Sequence, residues 1–492
     1  MSTPTVADAP QQGFFGHPRA LSTLFFTEMW ERFSYYGMRG ILALYLYTAI
    51  QDGGLGLPET TATSLVSAYG ASVYLTGVAG GWLADRLLGA RSAVFWGGVL
   101  IMFGHIAMAV PGGLTTTGIG LILIIAGTGL LKPNVSKMVG DLYTEQDKRR
   151  DSGFSIFYMG INLGGFAGPL IAGLLQSEIG FHWGFGAAAV GMALGLVQYV
   201  VGRGNLSSIS QVPANPLPAE HKGGVLGRAG GIAAVFVVGL VALVGTGTIG
   251  LDGLVNLVTI ISAVLPIIYF AVMLRSKQIT KVERERLIAY IPLFLATALF
   301  FLLFEQQAST LVIVTDMQTT NEVFGWEFPV SWFQSINSLT IIILAPVFAA
   351  LWLKLADRQP STPIKFVGGL VFVGLGFLWV VLSGFVTNAE GKQLALVVAM
   401  VFVIMTIGEL MLSPVGLSVT TKLAPAVFSS QTMGLYFLAP AMGQGIGAQV
   451  VKLYDPANQT LYFGVIGLAT IGCGGLLALA APKIKKLMHG VP

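Results

Sequence analysis

Long apolar segments separated by short polar ones run along the whole chain. A run of about 20 apolar residues is the length that an α-helix needs to cross the hydrocarbon core of a bilayer. Reading for such runs predicts fourteen membrane-spanning helices. They form a group of six, a group of two and a second group of six: 21–50, 61–83, 92–111, 117–138, 152–175, 183–202; 229–250, 254–274; 288–315, 329–353, 364–387, 393–421, 428–451 and 461–481.

The two groups of six resemble each other in sequence. The second span of each ends in a similar motif, Ala84-Asp85-Arg86 in the first group and Ala356-Asp357-Arg358 in the second. Repeated halves are typical of secondary transporters, whose binding site lies near the bilayer midplane between them. The predicted organisation is a cytoplasmic N-terminal tail (1–20), a six-helix bundle (21–203), a cytoplasmic linker (204–228), two inserted helices (229–275), a second six-helix bundle (276–482) and a cytoplasmic C-terminal tail (483–492).

Lysine and arginine residues are distributed unevenly between the two ends of the predicted spans. Most lie in the two tails and in every second loop, whereas only Lys392 and Lys452 lie in the loops on the opposite side. Because basic loops stay on the cytoplasmic side of a membrane, both termini are predicted to be cytoplasmic. The expected location is the plasma (inner) membrane, crossed many times, with lipid around the outer helix faces.

Composition agrees with a membrane protein. Of the 492 residues, 54% are hydrophobic and only 10% are charged, whereas a soluble domain has about 25% charged residues. The net charge of +4 does not indicate nucleic-acid binding, because the basic residues lie in short loops. One cysteine, Cys473, and five scattered histidines predict neither an internal disulfide nor a metal site.

Two other classes, a membrane enzyme and a receptor, are disfavoured. An enzyme would need a nucleophile–base pair, a metal cluster or a cofactor motif, and the sequence has no recognisable one. A receptor would be expected to carry a soluble signalling domain, whereas the longest polar stretch is 204–227. We therefore expect a transporter that needs no cofactor, with a single chain as the functional unit because the duplicated core is self-contained.

The first span carries an unusual density of charge. Glu28, Glu31, Arg32 and Arg39 all lie within it, and a charge at the centre of a bilayer costs roughly 2.5–3.5 kcal/mol on insertion scales. Helical periodicity places most of these residues on one stripe together with Tyr35 and Tyr36. The stripe predicts either a face on a wet cavity or an ion cluster that only fixes helix packing.

Three further charged residues lie inside later spans, namely Lys132, Glu305 and Glu409. The bases all belong to the first six-helix group, and two of the four acids belong to the second. A cavity between the groups would then have a positive and a negative wall, which suits a zwitterion. Carboxylates are the expected proton carriers, since intramembrane acids serve this purpose in transporters. Buried Tyr74, Asn162 and Asn337 are either helix contacts or ligand contacts.

Three motifs resemble signatures of the proton-dependent oligopeptide transporter (POT) family, over residues 15–480. They are Glu28-x-x-Glu31-Arg32-Phe33 with Tyr35-Tyr36-Gly37-Met38-Arg39, Phe157-Tyr158-x-x-Ile161-Asn162-x-Gly164, and Gly408-Glu409-Leu410-x-Leu412-Ser413-Pro414. The resemblance implies an all-α major facilitator superfamily fold with two inserted helices. It also implies import of di- and tripeptides together with protons, by alternating access, with the peptide bound between the bundles.

The resemblance further implies roles for individual residues. The peptide carboxylate would be bound by Arg32, Arg39 and Lys132. The amino terminus would be bound by Asn162, Asn337 and Glu409. The pocket would be lined by Tyr35, Tyr36, Tyr74, Tyr436 and Phe437, of which the last two stand where relatives often have Trp-Phe. Proton coupling would involve Glu28, Glu31, Arg32 and Glu305, with Glu305 exchanging partners between Arg39 and Lys132.

The sequence leaves two alternatives open, one for the position of an acidic residue and one for the cargo. In the motif Glu305-Gln306-Gln307-Ala308-Ser309, either Glu305 or Gln306 occupies the position of the family's acidic residue before Gln-Gly-Ser. The cargo also has an alternative, because relatives with this architecture move nitrate, amino-acid conjugates or peptide-like drugs. Contacts to an amino terminus would distinguish a peptide from nitrate.

Overall fold

The computed structural model describes residues 13–491, apart from 145–146 and most of 219–245. The described chain is almost entirely helical. The first set of helices comprises α1 (Arg19–Tyr47), α2 (Glu59–Leu83), α3 (Ala90–Ala109), α4 (Gly113–Gly140), α5 (Arg150–Glu178) and α6 (Phe181–Gly202). After α7 (Leu251–Arg275), the second set comprises α8 (Lys281–Phe304), α9 (Thr310–Met317), α10 (Phe333–Leu355), α11 (Thr362–Ser383), α12 (Ala395–Leu423), α13 (Ser429–Val450) and α14 (Gln459–Leu487).

Ten helical segments of the described chain are long and apolar enough to cross a membrane. Three further long helices, α1, α2 and α13, are not among the ten. Their sequences explain this, since α1 carries charged residues, α2 is rich in Gly, Ser and Thr, and α13 is rich in Gly, Ser and Gln. The predicted span 229–250, the first of the two inserted helices, lies mostly outside the described residues, whereas α7 coincides with the second.

Small residues bring α1 and α5 into close contact. Gly160, Gly164 and Gly168 recur every fourth residue and therefore lie on one face of α5. A Cβ atom at Gly164 would lie 2.1 Å from the Met29 carbonyl oxygen, and one at Gly168 would lie 2.4 Å from that of Phe33. Only glycine fits at such distances, which is the usual role of small residues at membrane helix interfaces. The contact places the charged stretch of α1 directly against α5.

The two sets meet along two seams, where α2 packs against α13 and α5 packs against α10. Side chains at the start of α10 stabilise the α5 seam. Ser331 Oγ, just before α10, donates to the Pro169 carbonyl at 3.1 Å, and Ser335 Oγ donates to that of Phe166 at 2.8 Å. The inserted helix α7 packs against both α2 and α13. Thr259 Oγ1 of α7 donates to the Gly445 carbonyl at 2.8 Å, so α7 is bonded to the second set.

The predicted span 288–315 is not one continuous helix. α8 ends at Phe304, a 3₁₀ turn covers Glu305–Ala308, and α9 begins at Thr310. Between them, Ser309 has φ −129° and ψ −93°, which interrupts the helical path. Irregular backbone at membrane depth needs partners from elsewhere in the protein, and the Gln334 side chain provides one by donating to the Gln307 carbonyl.

Two smaller features lie outside the long helices. A short antiparallel hairpin, β1 (Glu322–Val323) and β2 (Trp326–Glu327), lies between α9 and α10. In the first set, the chain after α2 forms a π turn, and Asp85 in that turn pairs with Lys137 Nζ of α4 at 2.5 Å. The Ala84-Asp85-Arg86 motif is therefore more than a helix stop, because it joins α2 to α4.

Candidate functional site

The predicted site residues all lie within the described chain and come from both sets. The first set contributes residues of α1, α2, α4 and α5. The second set contributes Glu305 from the turn after α8 and residues of α10, α12 and α13. The structure brings some of them into direct contact across the two sets and holds others on their own helices.

Arg32 lies between two carboxylates of its own helix. Its Nε is 3.1 Å from Glu28 Oε1 and 2.5 Å from Glu31 Oε2. Glu31 is fully buried, and Glu28 and Arg32 are each 3% exposed. Within the described residues, the buried Arg32 Nη2 has no hydrogen-bond partner. Two acids thus share one base, and a donor of that base is left for another ligand.

Arg39 pairs with a residue of the other set. Its guanidinium contacts the Glu305 carboxylate, and Nη2 also approaches the Glu305 carbonyl oxygen at 3.5 Å. The helix break after α8 therefore places both a side-chain and a main-chain acceptor of Glu305 opposite α1. This pair, rather than one between Glu305 and Lys132, is the contact present in this structure. Gln306 is bonded elsewhere, since its amide oxygen accepts from Tyr462 Oη at 2.9 Å.

Aromatic rings accompany the cations of the first set. Arg32 Cζ lies 5.2 Å and Arg39 Cζ 6.0 Å from the Tyr35 ring centroid, and Lys132 Nζ lies 4.2 Å from that of Tyr74. These distances are in the range of cation–π attraction. Among the described residues, Lys132 has no carboxylate within 4.0 Å. Its positive charge is stabilised by a ring and is not neutralised by an acid.

Glu409 of α12 is bonded to an amide rather than to a base. Asn337 Nδ2 of α10 donates to Glu409 Oε2 at 3.0 Å and also to Thr406 Oγ1 at 2.9 Å. In the part of the chain that the structure describes, Glu409 has no lysine or arginine partner within 4.0 Å. A carboxylate without a counter-ion in the second set therefore accompanies a lysine without one in the first.

Five predicted residues make hydrogen bonds or ring contacts inside their own set of helices. Asn162 Nδ2 donates to the carbonyl of Tyr158 on its own helix at 2.9 Å, and Tyr436 Oη donates to that of Ser413 at 3.3 Å. The rings of Tyr436 and Phe437 pack edge to face at 5.5 Å between centroids, and those of Tyr35 and Tyr36 at 5.2 Å. Their predicted roles toward a ligand stay predictions.

The arrangement suits a zwitterionic ligand. Arg39 and Glu305 neutralise each other, which leaves Lys132 in the first set and Glu409 in the second as charges without a counter-ion. A molecule with a carboxylate at one end and an ammonium at the other would satisfy both walls. In addition, Glu28 and Glu31 exceed Arg32 by one negative charge, so one carboxylate of α1 can take a proton without breaking the ion pair.

Sequence reasoning missed two contacts that bear on the site. Thr406 accepts from Asn337, and its only sequence signal is its position three residues before Glu409 on the same helix face. Tyr47, the last residue of α1, donates to Asp316 Oδ2 of α9 at 2.5 Å. This bond joins the two sets, and neither residue stood out because each lies at the edge of an apolar run.

Comparisons with known proteins agree with one another. Residues 91–471 match the model of the POT family. The chain is 50% identical to an uncharacterized transporter of Bacillus subtilis (strain 168), covering 99% of this chain and 98% of that protein. It is 44% identical to the di-/tripeptide transporter of Lactococcus lactis subsp. cremoris, covering 98% of both. A crystal structure of a peptide transporter POT in complex with sulfate superposes with a TM-score of 0.94, at 51% identity and 99% coverage of both chains.

Proposed function

The chain belongs to the POT family of multi-pass membrane transporters, and from that premise we propose that it is a proton-coupled symporter that imports di- and tripeptides by alternating access. The observation that carries this proposal is the pair of uncompensated charges on opposite sets of helices. Lys132 of the first set has a ring as its neighbour, and Glu409 of the second set has an amide. A short peptide supplies the two missing counter-charges.

In this proposal the two ends of the peptide are bound by different sets. The carboxylate is bound by Arg32 and Lys132, with Arg39 joining when it leaves Glu305. The ammonium group is bound by Glu409, Asn337 and Asn162. The side chains of the peptide lie against an aromatic lining: Tyr35, Tyr36, Tyr74, Tyr436 and Phe437.

Proton coupling follows from the excess acid of α1 and from the pair between the sets. A proton on Glu28 or Glu31 leaves Arg32 with a single carboxylate partner, so its guanidinium is more available to a peptide carboxylate. A proton on Glu305 would release Arg39 and free the two sets to move apart. Binding energy and proton binding thus favour the same change of state, which is what coupling between two ligands requires.

The location and assembly are part of the same proposal. The distribution of lysine and arginine supports cytoplasmic termini in the plasma (inner) membrane, with lipid around the outer helix faces. The site draws residues from both sets of one chain, which supports a monomer as the functional unit.

The decisive experiment measures peptide uptake into proteoliposomes that contain the purified protein. We expect a labelled dipeptide to accumulate when the outside is more acidic than the inside, and a protonophore to abolish the accumulation. Liposomes without protein provide the control. Absence of uptake, or uptake that the protonophore leaves unchanged, would contradict the proposal.

A competition assay separates peptides from the alternative cargoes. Asn337 and Glu409 form a contact suited to an ammonium group, which nitrate lacks. Unlabelled di- and tripeptides with a free amino terminus should therefore compete with the labelled peptide, whereas nitrate should not. Stronger competition by nitrate or by amino-acid conjugates would identify a different cargo on the same fold.

A further inference from the structure

Thr406 lies behind the Asn337–Glu409 contact. It is fully buried in α12, one helical turn before Glu409. Its Oγ1 is within hydrogen-bond distance of two groups, the Phe402 carbonyl at 2.6 Å and Asn337 Nδ2 at 2.9 Å. Thr406 therefore contacts a predicted binding residue and is itself shielded from any ligand.

The number of available protons fixes the direction of these bonds. A hydroxyl group has one proton and two lone pairs, and a carbonyl can only accept, so the Thr406 proton is committed to Phe402. Toward Asn337, the Thr406 oxygen can then only accept. The Asn337 amide must present its nitrogen, which has two protons, one for Thr406 and one for Glu409 Oε2.

Both amide protons of Asn337 are thereby used within the protein. The amide oxygen is left as the group available to a ligand, beside the remaining lone pairs of the Glu409 carboxylate. Two acceptors suit a primary ammonium group, which has three N–H donors and a positive charge. If the amide were turned over, its nitrogen would face the ligand instead. The N–H donors of the amide would then lie against the N–H donors of the ammonium group.

We propose that Thr406 is a positioning residue that fixes the Asn337 amide with its oxygen available to the substrate, and that it thereby makes the site selective for a free amino terminus. The inference rests on the proposed peptide transport and adds to it a residue that sets specificity without touching the peptide. Its effect is expected on discrimination between free and blocked amino ends, rather than on the maximal rate of transport.

A second threonine of α12 provides a matched control. Thr420 is also fully buried and donates to the carbonyl four residues earlier, that of Gly416, at 2.7 Å. Its other contact is Tyr290 Oη at 2.7 Å, and it touches neither Asn337 nor Glu409. Threonine in membrane helices often bonds to its own backbone in this way. Thr420→Val therefore reports the general cost of removing such a hydroxyl group.

The test compares Thr406→Val, Thr406→Ser and Thr420→Val in proteoliposomes. For each protein, the KM and maximal rate for a labelled dipeptide are measured, together with inhibition by the same dipeptide with a free or an acetylated amino terminus. For Thr406→Val we expect the KM to rise about tenfold, the scale of one lost hydrogen bond to a network that holds a charge, with the maximal rate retained. The preference for the free amino terminus should fall by the same factor.

The controls make each outcome decisive. Thr406→Ser keeps the hydroxyl group and should behave like the parent, as should Thr420→Val. The inference is overturned if Thr406→Val keeps the parent's preference, or if it weakens binding of free and acetylated peptides equally, since a packing defect would do the latter. A parent protein that does not take up peptides would overturn the proposed function itself, which separates the two failures.

Discussion

Two arginines on the same helix are neutralised in different ways. Arg32 is paired with Glu28 and Glu31 of its own helix, and the side chains of this cluster are at most 4% exposed. Arg39, two turns later, is paired with Glu305 of the other set, and the two side chains are 11% and 10% exposed. The first cluster lies within one helix, whereas the second contact joins the two sets.

In the proposed mechanism, this difference gives the two sites different tasks. A change in the relation between the sets leaves the distances around Arg32 unchanged, so only a proton or a ligand can alter that cluster. The Arg39–Glu305 pair must break when the sets separate on that side, so its strength contributes to the equilibrium between transporter states. The Arg32 cluster is suited to binding a proton, and the Arg39–Glu305 pair is suited to coupling proton binding to movement of the two sets.

The largest effect is expected from removing one carboxylate of the α1 cluster. In Glu31→Gln, Arg32 keeps a single acid and the excess carboxylate is gone, so no proton can be taken up without breaking an ion pair. Changing one member of a buried charge cluster costs several kcal/mol, and we expect proton-driven uptake in proteoliposomes to fall at least about 100-fold.

Counterflow exchange of peptide provides the control for Glu31→Gln, because exchange needs binding and movement but no net proton transfer. We expect counterflow to be retained in part. Glu28→Gln tests the other carboxylate of the same cluster in the same assay, and whichever variant loses more proton-driven uptake identifies the proton carrier. Equal loss of uptake and counterflow in both variants would mean that the cluster only fixes helix packing.

A smaller effect is expected from cutting the pair between the sets. Glu305→Gln removes the charge but keeps the size of the side chain, and Arg39→Gln removes the charge on the other side with a shorter side chain. Because this pair is less buried, we expect each variant to lose roughly tenfold in proton-driven uptake. The double variant should lose no more than either single one, since the two changes remove the same contact. Additive losses would show that Arg39 and Glu305 act independently.

The comparison also explains which parts of the site the sequence could predict. Charges in an apolar run stand out, so the positions of Glu28, Arg32, Arg39 and Glu305 were predicted without any structure. The family resemblance also implied Arg39 and Lys132 as alternating partners of Glu305, but it did not tell which of the two Glu305 contacts in this structure, because that depends on how closely the helices approach. The contact of α1 with α5 through Gly164 shows how a residue without a side chain decides such distances.

The fold could be predicted from the sequence to about the same extent as the site. Reading the sequence for runs of about 20 mostly apolar residues located the long described helices, because the length and composition of such a run are local properties of the chain. The break at Glu305–Ala308 was not predictable, because its irregular backbone is satisfied by side chains from other helices, such as Gln334. Thr406 was missed for a related reason: its backbone bond to Phe402 is ordinary for a membrane helix, and only its second partner, Asn337, gives it a role.

The smallest effect is expected at the end of α1, where Tyr47 Oη donates to Asp316 Oδ2 of α9. Like the Arg39–Glu305 pair, this bond joins the two sets, but it has one charged partner instead of two. Tyr47→Phe removes the donor and keeps the ring, and we expect about a threefold change in proton-driven uptake, the lower end of what a single hydrogen bond contributes. Tyr45→Phe on the same helix is the matched control, because Tyr45 packs against Phe181 and Phe185 and not against Asp316. If the two variants behave alike in the uptake assay, the Tyr47–Asp316 bond does not contribute to the balance between transporter states, and the Arg39–Glu305 pair is left as the contact between α1 and the second set that does.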